Sequence, residues 1–248
     1  MMALNPIDAD LRILAGTAKT RNGMMRISTP TERPMASSNY RKHARCAGTL
    51  LMAVAFFTSA SVLAAEPVGK VSLVKGRASA LQQASVTNLY VGAPVYVGAR
   101  ILTGSNARVR LLMVDDTAII LGGNTEFVVS DYRYDAVADA GRASLELVRG
   151  FFRAITGRIT KRKNASFTLK TASLTLGVRG TDFWGEQHPN LAQIALISGH
   201  SIIVSTRAGS VEITSPLYGT RVTSADKPPE PPYRWSDAEL ARAVGTVD

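Results

Sequence analysis

Leu174-Thr175-Leu176-Gly177-Val178-Arg179-Gly180-Thr181-Asp182-Phe183-Trp184 is the stretch from which the fold can be read. Leu174, Leu176 and Val178 alternate with small or polar residues, the period of a strand with one buried face. Two glycines then flank a single arginine, a pattern expected where the backbone bends or approaches a neighbour closely. Arg179 admits two readings: a corner residue hydrogen-bonded to nearby carbonyls, or a cation offered to a partner. Upstream, the alternation of Phe167, Leu169, Ala172, Leu174 and Leu176 slips by one residue near Thr171, as at a bulge. In that setting Gly177 to Phe183 reads as the corner at which the chain passes between β layers. That favours the structural role, so Arg179→Ala is expected to lower stability first.

Working outward, the same period recurs. Val71, Leu73 and Val74 precede Lys75-Gly76. Leu89 to Leu102 is too rich in Gly and Pro for a helix, Ala107, Val109, Leu111 and Met113 alternate with Arg108 and Arg110, and Asp115-Asp116 breaks the pattern before Ala118 to Leu121. Asp131 to Arg142 reads as a loop or hairpin tip, and Gly185 to Asn190 as a turn. Three segments echo one another: Val71 to Gly76, Leu145 to Gly150 and Ile194 to Gly199 each carry apolar residues at positions 1, 3 and 4 and glycine at position 6. Their intervals of 74 and 49 residues exclude a regular repeat, but they point to one unit reused: a strand that kinks at glycine and continues in a second layer.

Beyond the opening stretch, Ile194 to Val204 and Ser210 to Ile213 form a strand pair turning through Arg207-Ala208-Gly209, and Tyr218 to Val222 is a last strand. Pro228, Pro229, Pro231 and Pro232 end the sheet. Ser236-Asp237-Ala238-Glu239 is a capping box with Trp235 placed to staple onto Leu240, so a helix is expected from Ser236 to about Val244. The expected fold is all-β: a twisted β-sandwich or solenoid-like antiparallel sheets with a short C-terminal helix.

Residues 1–46 lack an apolar period, whereas 47–65 is almost wholly apolar or small and follows Arg41, Lys42 and Arg45. This is the layout of a secretory signal peptide, with cleavage expected after Ala64 or Ala65 and a periplasmic product. An uncleaved anchor is the alternative, because 19 residues just span a bilayer. Thr58, Ser59 and Ser61 dilute the distal third and favour cleavage. Met35, followed by Ala-Ser-Ser-Asn-Tyr-Arg-Lys, is an alternative start of translation. The division expected is 1–46 leader, 47–65 apolar region, 66–224 β domain, and 225–248 proline-rich linker with a terminal helix. Cys46 is the only cysteine, so an exported chain has neither disulfide nor thiolate chemistry and rests on its core.

Without the leader, 21 of the 29 Lys and Arg and 16 of the 19 Asp and Glu remain, a modest positive excess. Export and sparse aromatics argue against a nucleic-acid partner. Arg149, Arg153, Arg158, Lys161, Arg162 and Lys163 lie in a run without acidic residues, which could attract an anionic glycan, lipid head groups or an acidic partner surface. Lys161-Arg162-Lys163-Asn164 also reads simply as a charged turn. His188 and His200 are the only histidines beyond the leader, and no metal spacing, Gly-x-Ser-x-Gly or phosphate loop occurs. No catalytic residue, metal or cofactor is expected, and the chain is read as no enzyme.

With these residues laid out, the chain from about Val68 to Thr223 resembles the FecR-type domain of Gram-negative envelope signalling proteins. Val95 to Gly104, Val109 to Leu121, Leu145 to Gly150 and above all Val178-Arg179-Gly180-Thr181-Asp182-Phe183 carry the resemblance, which assigns Gly177, Arg179, Gly180, Thr181 and Phe183 a mainly structural motif role. Ala99 stands where the family pattern has Asp. The resemblance implies a sensory or protein-interaction module with an envelope or membrane protein as partner. It does not carry over sigma-factor control, since no cytoplasmic helical module precedes the apolar run. The alternative is an envelope-binding protein for anionic polysaccharide, lipopolysaccharide or peptidoglycan, in contact with the membrane only if the leader is uncleaved.

Overall fold

The computed structural model describes residues 65–248; the leader, its apolar run and the alternative start at Met35 lie outside the described residues. Turn residues divide the described chain into strands β1 (Gly69–Lys75), β2 (Ala78–Gln82), β3 (Ser85–Asn88), β4 (Pro94–Val95), β5 (Arg100–Thr103), β6 (Arg108–Met113), β7 (Ala118–Leu121), β8 (Glu126–Asp135), β9 (Ala140–Ile155), β10 (Asn164–Lys170), β11 (Thr175–His188), β12 (Leu191–Ser205), β13 (Ser210–Ile213), β14 (Tyr218–Val222) and β15 (Tyr233–Arg234), followed by helix α1 (Asp237–Gly245). All fifteen strands belong to one branched sheet that does not close into a barrel.

The branch point is β9. It pairs with β8 through Ala140–Arg149, with β10 through Ala140–Glu146, and beyond Gly150 with β7 and β11. Ala143, Leu145 and Leu147 are buried before Gly150, and Phe152 and Ala154 after it, so the buried phase moves from odd to even positions. Gly150 makes the switch at φ 96°, where a Cβ would collide with Thr125. A second constraint demands the same bend. β10 starts beside Ala140 only nine residues after β9 ends, and nine residues reach about 30 Å at most, whereas a straight strand of this length runs about 50 Å. β9 must therefore bend for β10 to lie parallel to its first half.

β11 makes the same exchange. Leu174, Leu176 and Val178 are buried ahead of Gly180, Thr181 and Phe183 after it, while its partner changes from β10 to β9. β12 follows β11 throughout, with Gly199 at φ 112° where a Cβ would strike the Gly180 carbonyl. Gly76, Gly150 and Gly199 all have positive φ, so the three echoed segments do share a kink at their glycine.

Four local expectations are corrected. Phe167 to Leu176 is not one bulged strand but a hairpin, because the Thr171 hydroxyl accepts hydrogen bonds from the backbone N–H of Ser173 and Leu174 and closes the turn. Gly185 to His188 stays in β11, since the missing Gly185 side chain makes room for Phe152 and Ile194. Asp131 to Arg142 is mostly ladder, with only residues 136–139 outside β8 and β9, and Tyr132 is buried. Finally, the sheet is not wholly antiparallel, because β9 and β10 run parallel.

The main core lies between the folded halves of the sheet. A second cluster, Trp184, Ala195, Trp235, Ala243 and Val247, sits under α1 on the opposite face of β11 and β12. The capping box forms as expected: the Ser236 hydroxyl accepts from Glu239 N–H, and the Glu239 carboxylate accepts from Ser236 N–H at 2.9 Å. The Trp184 indole donates to the Thr246 hydroxyl at 3.0 Å, and the Trp184 and Trp235 rings meet edge to face at 5.6 Å. The proline-rich segment is tied back to β14, with the Thr220 hydroxyl donating to the Glu230 carbonyl at 2.6 Å.

Candidate functional site

The corner in β11 is held by backbone and threonines. The Thr156 N–H donates to the Thr181 carbonyl at 3.0 Å, and the Thr181 N–H donates to the Thr156 hydroxyl at 2.9 Å. Phe183 is fully buried, edge-on to Phe152 at 5.4 Å and Phe167 at 6.4 Å. Gly177 and Gly180 are half-buried. Arg179 is exposed opposite Ser201 and makes no hydrogen bond or ion pair among the described residues. Backbone and threonine hydrogen bonds thus hold the corner, and the Arg179 side chain takes no part in them.

Next to it stands a bidentate ion pair. Arg153 on β9 reaches across to Asp182 on β11 with two parallel hydrogen bonds of 2.9 and 2.8 Å, both side chains being largely shielded. Those bonds raise the Arg153 pKa above its ordinary value despite partial burial.

The cationic run does not survive as a patch. Arg149 lies 3.4 Å from Glu126, Arg153 is held by Asp182, Arg158 lies 3.0 Å from Asp116, and Arg162 lies 3.2 Å from Asp139. Arg162 also donates to the Tyr134 hydroxyl at 2.7 Å, a bond that raises its pKa, and Arg158 and Arg162 both contact the Tyr134 ring. Lys161 and Lys163 alone are exposed without a carboxylate among the described residues. Residues close in sequence are spent singly on partners brought by β8, β11, the turn between β6 and β7 and the turn between β8 and β9.

Sequence reasoning missed a buried polar knot. Asp115, wholly buried in that turn, accepts from Thr117 N–H at 3.1 Å, the Thr117 hydroxyl at 2.8 Å, the Tyr132 hydroxyl at 2.5 Å and Ile159 N–H at 3.0 Å. Burial, and then the neighbouring Asp115 charge, push the Tyr132 pKa well above its ordinary value. Asp115-Asp116 stood out in the sequence only as a strand breaker, because the partners come from positions up to 44 residues away.

His188 lies 3.4 Å from Glu186 and edge-on to the Phe151 ring, while His200 is exposed beside Gly180. Among the described residues no group of three or more His, Cys, Asp or Glu is placed to hold a metal ion, and no helix is long and apolar enough to cross a membrane.

No curated protein matches the chain. Two crystal structures of a candidate anti-sigma factor from Parabacteroides distasonis ATCC 8503 are similar at 14% identity and a TM-score of 0.45, over 57% of this chain. The match spans 62% of that protein's length. The model of the family described as FecR protein matches residues 99–212, from the residue before β5 into β13, a narrower span than the resemblance read from sequence. The matched residues 99–212, a little under half of the chain, include the bent strands β9, β11 and β12, and over them the chain is similar to the FecR protein family.

Proposed function

We propose that the chain is an exported, non-catalytic interaction module that works in envelope signal transduction by docking a membrane protein partner. The observation that carries this reading is the FecR match over residues 99–212. The leader supports an envelope location through its basic, apolar and small-residue order. The surface supports a protein partner: all four residues of β3 are exposed, and this strand pairs only with β2, so its outer edge is open. Val86, Tyr90 and Val91 are each more than 60% exposed beside that edge, next to a cleft of about 630 Å³ lined by Leu89, Tyr90 and Tyr96.

The test is photo-crosslinking in cells with a reactive residue at Val86 or Tyr90, followed by identification of the adduct. A membrane receptor or sensor is the expected partner. Recovery of glycan alone, or of the chain from the cytoplasmic fraction, would overturn the reading. A glycan role for the Arg149 to Lys163 run is not favoured, because four of its six cations are already paired with carboxylates.

A further inference from the structure

Three cations far apart in sequence meet on one face of the sheet. Arg133 on β8 is directly opposite Arg142 on β9, and Arg142 is directly opposite Ser166 on the parallel neighbour β10. Arg133, Arg142 and Lys163 are exposed and, with Asn164 and Ser166, line an open cleft of about 650 Å³. Directly opposed residues in such ladders have Cα atoms about 5 Å apart, and like charges at that separation repel. Arg133 has one carboxylate, Asp131 at 3.2 Å, but with its own side chain 82% exposed that pair is largely screened by water. Asp135, the acid in the lining, has its Oδ1 engaged by the N–H groups of Val137 at 2.8 Å and Ala138 at 2.9 Å. Arg142 and Lys163 contact no carboxylate among the described residues, in contrast to nearby Arg158 and Arg162.

We propose that this cleft binds a phosphate-bearing ligand. Two guanidinium forks approach from β8 and β9 and an ammonium from the turn that leads into β10, which suits a tetrahedral group carrying more than one negative charge better than a planar carboxylate carrying one. The Asn164 amide and Ser166 hydroxyl add neutral donors, and Ala138, Ala140, Gly141 and Ala165 form a low wall that leaves room for the group to sit close to the backbone. The ligand's charge would offset the repulsion between Arg133 and Arg142. The parallel pairing of β9 and β10 creates the site, because it sets Lys163 and Ser166 beside Arg142.

The experiment is isothermal titration of the full chain with inorganic pyrophosphate at low ionic strength, alongside Arg142→Gln/Lys163→Gln and Lys161→Gln variants. Circular dichroism checks that each variant keeps the fold, which these exposed substitutions should leave intact. Binding weakened about tenfold or more in the double variant and unchanged in Lys161→Gln supports the site. Absence of binding, equal loss in Lys161→Gln, or tighter binding of glucuronate than of pyrophosphate overturns it. Cosedimentation with phosphatidic-acid vesicles separates the two sources of the group: binding that is lost in the double variant assigns a lipid headgroup, whereas pyrophosphate binding without cosedimentation assigns a soluble phosphate.

Discussion

At the scale of the residue, two positions in the central strands should behave oppositely. Gly150→Ala places a methyl group against Thr125 at a φ of 96°, so a loss of about 2–4 kcal/mol is expected in urea unfolding. Arg179→Ala removes an exposed side chain that makes no hydrogen bond or ion pair among the described residues, so the stability should move by less than about 0.5 kcal/mol. This reverses the order of importance read from the sequence, where the arginine drew attention and the glycine was one of many. Tyr132 adds a pH dependence. Its folded pKa is raised above 10.0 by burial and by Asp115, so its contribution is complete below about pH 10 and is lost as pH rises beyond that, because the unfolded chain releases a proton that the fold retains. Stability measured from pH 9 upward should therefore fall more steeply for the wild type than for Tyr132→Phe, which itself costs about 1–2 kcal/mol at neutral pH through the lost hydrogen bond to the buried Asp115 carboxylate.

At the scale of the element, α1 is a short helix whose ends are secured by side chains. Ser236→Ala removes the capping box and should cost about 1 kcal/mol. The chain has only two tryptophans, and both lie in the cluster beneath this helix, so fraying should be visible as a red shift in fluorescence. Glu239 has a pKa lowered by hydrogen bonds from Ser236, backbone first and hydroxyl second. Its contribution is present above the ordinary carboxylate value of 4.5 and is lost as pH falls through the depressed folded value. The same red shift should then appear in the wild type on acidification and be weaker in Ser236→Ala, where the hydroxyl bond is gone and the backbone N–H of position 236 alone remains to donate to Glu239.

For the molecule as a whole, the terminal segment is part of the fold rather than an appendage. Deleting residues 236–248 would uncover Trp184 and Ala195 and leave the indole N–H without Thr246. A loss of at least about 3 kcal/mol is expected, with increased binding of a hydrophobic dye; an unchanged melting temperature would show that the β sheet stands without its helix. Charge behaves similarly at this scale. The six-residue cationic run loses four members to carboxylates on other strands and turns, while Arg133 on β8, Arg142 on β9 and Lys163 in the turn before β10 converge into one cleft.

The local sequence determined what depends on neighbours: the period-two strands, the hairpin through Arg207 to Gly209, the capping box at Ser236, and the kinks at Gly76, Gly150 and Gly199, which carry the positive φ that their repeated setting implied. The motif around Arg179 lies within residues 99–212, which the FecR family model matches. Only the tertiary structure decided which strands pair. The parallel ladder of β9 and β10, the burial of Asp115 and the spending of Arg153 on Asp182 all join residues more than 20 positions apart. Period and propensity report which face of a strand is buried, whereas pairing is set by how far a short connection can reach and by where a bent strand must turn back.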